Sequence, residues 1–185
     1  MLQKSLGQGW AIVNAGKGAA TIIDGTLRPY HKIEQYQQAI TSNPDKVIIM
    51  LGTNDANPKW WDDADRPTEF NGTPAQEFKA GLIKLIQDFQ GLPSNPEVIL
   101  ATPLPIFPNK TKAGMLAERI GRNAHLVNNI IPIIKTVAHE QQLSLIDINT
   151  KMADQEENCR DGVHYKAEGY QMMTELFKQA LVAKS

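Results

Sequence analysis

The residues best suited to chemistry are Asp161 and His164, which are separated by only Gly162 and Val163. At this spacing an Asp carboxylate can fold back onto the imidazole Nδ1. Such a bond fixes the tautomer of the ring and supports the imidazolium that forms during proton transfer. The pair therefore predicts a general base with an orienting partner. The same four residues are also compatible with a plain turn before a helix.

A second candidate group follows the apolar run that ends at Leu51, in the order Gly52-Thr53-Asn54-Asp55. An asparagine amide in this position can donate to an oxygen that develops negative charge in a transition state. Asn and Asp are also common turn formers, so a purely structural role stays open. The nearby residues that we predict to line a substrate pocket are Gly52, Asp55, Trp60 and Trp61.

A third group is the small-residue stretch 14–21, Asn-Ala-Gly-Lys-Gly-Ala-Ala-Thr. Small residues let the backbone approach a ligand and direct N–H groups towards an anion. The stretch fits neither the GxxxxGK[ST] nor the GxGxxG pattern, and a tight strand-to-helix turn is the alternative interpretation.

These groups need strands and helices that bring them to one edge. Short apolar runs predict four strands, at Trp10–Asn14, Lys46–Leu51, Glu97–Thr102 and Leu143–Asp147. Apolar side chains at helical spacing predict helices at 30–42, 74–90, 113–140, with a break at Pro132, and 167–182. Runs that are apolar on both faces favour a parallel sheet covered by helices on both sides.

In an open α/β sheet, function lies in the loops after the carboxyl ends of the strands. Here those loops are 15–27, 52–73, 103–112 and 148–166, and all three candidate groups fall within or beside them. The expected fold class is therefore α/β with right-handed crossovers, and we predict a single domain over residues 1–185.

Composition excludes several classes of protein. The formal net charge of −1 provides no basic stripe for nucleic acid. No apolar run approaches the length of a membrane span. The one cysteine, Cys159, excludes an intramolecular disulfide framework and any multi-cysteine zinc site. The acidic group Asp62, Asp63 and Asp65 has no histidine beside it in sequence, so we predict no metal site there.

Taken in order, the motifs N-x-G-x-x-x-A-T, G-T-N-D and D-G-V-H resemble three of the sequence blocks of the SGNH hydrolases, also called GDSL esterases and lipases. The resemblance covers essentially the whole chain. The subgroup it most resembles is the acetylesterase-like one, including sialate O-acetylesterase-type enzymes. It implies a flavodoxin-like, three-layer α/β/α sandwich with a mostly parallel sheet. It also implies hydrolysis of a small-molecule ester by Ser-His-Asp chemistry, without metal or cofactor.

The resemblance assigns roles residue by residue. His164 would be the general base, Asp161 its partner, and Asn54 a side-chain donor to the oxyanion hole. The second donor, a backbone N–H, falls on Ala19 with Gly18 beside it. An alanine can fill that place without strain if its φ is negative.

The chain departs from the family in its first block. The family carries its nucleophile in a Gly-Asp-Ser motif after the first strand, and this sequence contains no such motif. Residues 1–9 match the helix that follows that block. The expectation is therefore a domain lacking its first strand, without a nucleophile in this chain and inactive by itself. Localisation stays unassigned, because a secretory signal would precede the missing block.

Two other functions remain open. A non-catalytic module that binds acylated sugars would use Trp60 and Trp61 for stacking. A phosphate or nucleotide binder built on the 14–21 loop would leave Asn54 and the Asp161–His164 pair without a purpose. Because the family's first strand is central, its absence also predicts exposed sheet edges and a homo-oligomer formed through them.

Overall fold

The fold is described from a computed structural model covering residues 1–61 and 72–183. Its strands are β1 (Lys46–Ile49), β2 (Glu97–Ala101) and β3 (Ser144–Ile146). Its α-helices are α1 (Leu2–Leu6), α2 (Glu34–Thr41), α3 (Pro74–Gln90), α4 (Leu116–His125), α5 (Ile131–Glu140), α6 (Ile148–Lys151) and α7 (Ala167–Val182).

The strands form one parallel sheet in the order β1-β2-β3. Ile49 lies opposite Leu100, and Ala101 lies opposite Ile146. All three strands therefore end at the same edge of the sheet, which we call the carboxyl edge. Three of the four predicted strands are confirmed, each shortened at one or both ends.

Helices cover both faces of the sheet, as the doubly apolar strands predict. Val98 and Leu100 of β2 belong to a core cluster with the buried faces of α3 and α5. Ile99 and Ala101 point the other way, into a second cluster that includes residues of α7. This alternation along one strand produces the three-layer α/β/α sandwich, which confirms the predicted fold class.

The helix predictions are largely confirmed. α3 and α7 have the predicted bounds, and a capping box between Thr73 and Gln76 begins α3. The predicted helix at 113–140 is divided as expected. A π-helical segment (Leu126–Ile130) precedes α5, and Pro132 lies in the first turn of α5. No helix in the described ranges is long and apolar enough to cross a bilayer.

The predicted strand at Trp10–Asn14 is wrong. These residues lie outside any strand of the described structure, because no strand pairs with them. Instead the Gln3 side chain donates to Trp10 O at 2.7 Å and accepts from Ile12 N at 2.9 Å. The predicted 30–42 helix is also shorter than expected, since a separate 3₁₀ turn (Tyr30–Lys32) precedes α2.

Candidate active site

The Asp161–His164 turn forms the hydrogen bond that its spacing predicts. An isolated antiparallel bridge between Cys159 and Tyr165 closes the base of the turn. His164 Nδ1 lies 2.9 Å from Asp161 Oδ2 and 3.1 Å from Oδ1. The His164 side chain is 58% exposed, so the ring is open to a reactant.

Asp161 is held in its ionised form by donors of the same turn. Its Oδ1 accepts from the backbone N–H groups of His164 at 2.8 Å and Val163 at 3.2 Å. Burial by itself raises the pKa of this carboxyl. The hydrogen bonds from the His164 backbone and imidazole and from Val163 outweigh that effect, and the pKa falls to about 2. The carboxylate can therefore stabilise an imidazolium throughout the neutral range.

The loop after β2 fixes the position of this turn. Phe107 N donates to Gly162 O at 2.9 Å, and Thr111 Oγ1 donates to Asp161 O at 3.1 Å. Gly162 has a φ of +90°, which L side chains rarely adopt. Sequence reasoning did not identify Thr111, because a contact across 50 residues leaves no local pattern.

Asn54 lies at the carboxyl end of β1 and is tied to the first loop. Its Nδ2 donates to Ala20 O at 3.0 Å, which uses one of the two amide N–H groups. Its backbone carbonyl accepts from Trp60 Nε1 at 3.1 Å. The first bond orients the side-chain amide, the second holds the backbone of Asn54, and the amide keeps a second N–H for a ligand.

Gly18 and Ala19 lie close to Asn54, because the residue that follows them, Ala20, provides the backbone carbonyl to which the Asn54 side chain donates. Both are exposed, and neither backbone N–H donates to another described residue. Both are therefore free to meet an oxyanion. The condition that Ala19 has a negative φ is wrong, because its φ is +63°. The loop closes with a hydrogen bond from Ala20 N to Lys17 O, which holds Ala19 in a left-handed conformation.

Replacing Ala19 with glycine is therefore expected to stabilise the protein by about 0.5–1 kcal/mol. Glycine removes a left-handed strain of about 1–2 kcal/mol and gives back part of that gain through a more flexible unfolded chain. Urea unfolding measures the change. The control is Ala11→Gly, at an exposed position without a positive φ. An equal or larger gain at Ala11 would contradict the assignment of strain to Ala19.

Asp55 does not line an open pocket, contrary to the sequence prediction. It is fully buried, and its Oδ1 accepts from Ile22 N and Ile23 N, each at 2.8 Å. Its Oδ2 is a buried atom without a hydrogen-bond partner. Burial raises the pKa of Asp55 to about 7, although those N–H donors and Arg122 oppose the shift. The residue joins the first loop to the second instead of facing a substrate.

Trp60 and Trp61 also hold the loop in place. Trp60 is 8% exposed, and the Trp61 ring stacks on His125 with centroids 5.0 Å apart. Trp61 Nε1 donates to Asp55 O at 2.9 Å. Arg122, which sequence reasoning missed, donates to Thr53 O at 2.9 Å from a nearly buried position on α4. Contacts with α4 therefore fix the loop after β1.

Gly52 is buried inside this edge and is likewise not exposed to a ligand. A Cβ added at Gly52 would lie 3.3 Å from Pro103, so the loops after β1 and β2 pack against each other. Further along the loop after β2, Pro105 O accepts from Tyr165 Oη at 3.1 Å. Contacts thus run along the carboxyl edge from the Asn54 loop to the His164 turn. Within the described residues no hydrogen bond joins Asn54 directly to His164.

The described serines lie away from this edge. Ser42, Ser94 and Ser144 precede or begin β1, β2 and β3, at the opposite end of the parallel sheet. Ser5 lies on α1 and donates to Glu175 of α7. Ser185 lies outside the described residues, as do Asp62, Asp63 and Asp65, the acidic group noted in the sequence.

A three-layer α/β/α fold whose last carboxyl-edge loop carries an Asp–His pair is the architecture of the SGNH hydrolases. The profile of the GDSL-like lipase/acylhydrolase family matches residues 1–172, and the chain belongs to this family. The resemblance predicted from the motifs is thereby confirmed at the family level.

Known relatives agree with this assignment. An acetylxylan esterase of Xylanibacter ruminicola is 29% identical over 97% of this chain, which spans 37% of the length of that relative. A lipase/acylhydrolase structure from Enterococcus faecalis has a TM-score of 0.58 at 22% identity, covering 78% of this chain and 65% of that one. An acetyl xylan esterase structure has a TM-score of 0.62 at 21% identity, covering 90% and 79%.

Proposed function

We propose that this chain carries the general base and the oxyanion donors of an esterase that removes acetyl groups from a carbohydrate. The observation that supports this most directly is the Asp161–His164 pair, held by the loop after β2 with the ring exposed. The acetyl group and the carbohydrate follow from the acetylxylan esterase relative. The sialate O-acetylesterase-type subgroup stays a prediction, and no finding favours it over the xylan type.

The proposed mechanism assigns one step to each group. A serine hydroxyl attacks the ester carbonyl carbon while His164 Nε2 takes its proton, and Asp161 stabilises the resulting imidazolium. The second amide N–H of Asn54 and the free N–H groups of Gly18 and Ala19 hold the tetrahedral oxyanion. His164 then passes the proton to the departing sugar oxygen, and water releases acetate from the acyl-serine.

In this proposal none of the described serines of this chain is the nucleophile. Its support is the position of the described serines, because three lie at the amino ends of strands and Ser5 is bonded to α7. The chain by itself is therefore expected to react with neither a fluorophosphonate probe nor p-nitrophenyl acetate beyond the rate of a His164→Ala variant. Mass spectrometry of the probe-treated protein measures this. Stoichiometric labelling at one serine would contradict the proposal.

The alternative function, a non-catalytic module that binds acylated sugars, receives less support from the structure. It depends on Trp60 and Trp61 as stacking platforms, but Trp60 is buried and Trp61 is already stacked on His125. A binding module also gains nothing from an oriented imidazole. Calorimetric titration with acetylated xylo-oligosaccharides separates the two functions, since the module requires binding that survives His164→Ala and never leads to turnover.

A further inference from the structure

The two candidate backbone donors lie in a tight turn formed by residues 17–20. Ala20 N donates to Lys17 O at 3.2 Å, which makes Gly18 and Ala19 the two central residues of the turn. Ala19 has a φ of +63°, whereas Gly18 has no positive φ. A positive φ at the second central residue alone defines a type II turn, in which that residue is usually glycine. An alanine in this place favours the type I turn, where its φ is negative.

The type of turn decides where the Ala19 N–H points. Type I and type II turns share the closing hydrogen bond, and their central peptide is rotated by about half a turn between them. In this turn the central peptide joins the C=O of Gly18 to the N–H of Ala19. Because the C=O and N–H of a planar trans peptide point in opposite directions, rotation of this peptide reverses the direction of the Ala19 N–H. The bond from Ala20 N to Lys17 O is compatible with both orientations, so a second contact must select one of them.

Arg28 supplies that contact. Its Nη1 donates to Gly18 O at 2.7 Å, and within residues 1–61 and 72–183 this oxygen accepts no other hydrogen bond. A type I turn would direct Gly18 O away from the guanidinium and break the bond. A hydrogen bond from a charged donor is worth at least as much as the left-handed penalty of one alanine. The bond from Arg28 can therefore keep the peptide in its strained orientation.

Backbone hydrogen bonds of the following loop place Arg28 beside the turn. Arg28 O accepts from Thr21 N at 3.0 Å and from Thr21 Oγ1 at 3.2 Å. Tyr30 N donates to Thr21 O at 2.8 Å. Thr21 is buried, so water has little access to these bonds. The backbone of Arg28 is thus fixed next to the turn that its side chain contacts.

The same bond makes the Ala19 N–H a stronger donor. A cation that donates to Gly18 O polarises the peptide, and hydrogen bonds at the two ends of one peptide strengthen each other. The Ala19 N–H points to the side opposite the guanidinium and donates to no described residue. The next carbonyl of the turn, Ala20 O, accepts from Asn54 Nδ2 at 3.0 Å. The turn and the Asn54 amide are therefore held in a fixed relation to each other.

We propose that Arg28 is a positioning residue of the oxyanion hole: it holds the Gly18–Ala19 peptide in the type II orientation and thereby makes the Ala19 N–H the backbone donor. The guanidinium does not contact the ester, because it acts from the opposite side of the peptide. The connection to the oxyanion rests on the proposed function. The effect of Arg28 on the turn does not.

Nuclear magnetic resonance of the intact chain tests this effect without a substrate. In a type II turn an Hα proton of Gly18 lies close to the Ala19 amide proton, whereas in a type I turn the amide protons of Gly18 and Ala19 approach each other. The parent should show the first nuclear Overhauser effect, and Arg28→Ala should replace it with the second. Arg28→Lys, which keeps a charged donor, should retain part of the type II pattern. An unchanged pattern in Arg28→Ala would overturn the inference.

Lys17→Gln is the matched control for charge. It removes an exposed cation from the same turn and leaves the bond between Arg28 and Gly18 O in place. It should therefore keep the type II pattern. Rotation of the peptide in Lys17→Gln would mean that local positive charge, and not the bond from Arg28, determines the turn.

Glycine at position 19 supplies the rescue. Arg28→Ala combined with Ala19→Gly should regain the type II pattern, because glycine removes the penalty that drives the rotation. Ala19→Gly should raise the Tm of the parent by about 1–4 °C. It should not raise the Tm of Arg28→Ala, in which Ala19 is already relaxed. A gain of equal size in both backgrounds would contradict control of Ala19 by Arg28.

Titration with acetate, the product anion of the proposed reaction, tests the connection to the oxyanion. Acetate should shift the amide resonances of Ala19 and of the Asn54 side chain, and Arg28→Ala should weaken its binding about 10-fold. Equal affinity for the parent and Arg28→Ala would overturn the inference and leave the proposed function standing. If Arg28→Ala rotates the peptide but acetate shifts neither resonance in the parent, the role of Arg28 in the turn is supported and the proposed function is contradicted.

Discussion

Replacing Asp55 with asparagine is expected to remove a large contribution to the pH dependence of stability between about pH 4 and 7. The buried carboxyl has a pKa near 7 in the folded protein against a reference value of 3.8. Between these values the folded protein keeps a proton that the unfolded chain has released. Raising the pH therefore favours unfolding across this window, and the loss is complete above it.

The size of the effect follows from the difference in pKa. A difference of about three units corresponds to about 4 kcal/mol of unfolding free energy, which is large against the usual 5–15 kcal/mol. Asparagine preserves an oxygen that accepts from Ile22 N and Ile23 N and leaves one polar atom unpaired, as protonated Asp55 does. The variant should match the parent near pH 4 and exceed it by several kcal/mol at pH 8.

Urea unfolding across this pH range measures the difference, and Asp147→Asn is the matched control. Burial raises the pKa of Asp147, but hydrogen bonds from Lys135 and Thr150 outweigh it and lower the pKa below 3.8. This carboxylate stabilises the fold above its unfolded pKa and loses that contribution as the pH falls. Asp147→Asn should therefore lose stability at pH 8. A similar loss for Asp55→Asn would contradict a neutral Asp55 in the fold.

Much of the fold could be predicted because its signals are local. The bounds of α3 and α7 follow from side-chain spacing, and Pro132 marks the start of α5. Trp10–Asn14 shows why the rest could not. Its sequence suits a strand, but a strand exists only where a neighbour supplies ladder hydrogen bonds, and no described strand pairs with residues 10–14.

The candidate site also contains features that the sequence predicts and features that it does not. The Asp161–His164 bond closes over three residues, so its spacing predicts it. The buried Asp55 carboxyl accepts from backbone N–H groups 32 and 33 residues away, and no sequence pattern near Asp55 predicts those contacts. The positive φ of Ala19 is equally hidden, because it results from the closure of its loop and not from the residue type.

Replacing Gly162 with alanine is expected to cost about 3–5 kcal/mol and to release His164 from its position. A Cβ at this residue would lie 2.2 Å from Thr111 Oγ1 and 2.8 Å from the carbonyl oxygen of Phe107. The threonine can rotate away, but the backbone oxygen cannot move without breaking the bond from Phe107 N to Gly162 O. This overpacking adds to the strain of a φ of +90°.

Two other glycines separate these contributions. Gly7 has a φ of +84° and a ψ of −167° with nothing within 4 Å of an added Cβ, so Gly7→Ala measures the conformational cost alone, about 1–3 kcal/mol. Gly121 has no positive φ, but its added Cβ would lie 2.6 Å from Pro58, so Gly121→Ala measures crowding without that cost. Urea unfolding ranks all three variants, and NMR of the His164 ring reports whether the bond to Asp161 persists.

If Gly162→Ala lowers the free energy of unfolding no more than Gly7→Ala does, the loop after β2 adjusts to the added methyl group. That loop would then not determine where the His164 imidazole lies. The expected result is a cost well above that of either control, together with loss of the His164–Asp161 bond. That combination would mean that the position of the base is set by contact with a neighbouring strand's loop. The four-residue motif would then supply the pair of groups, and Phe107 and Thr111 would supply the rigidity that a general base requires.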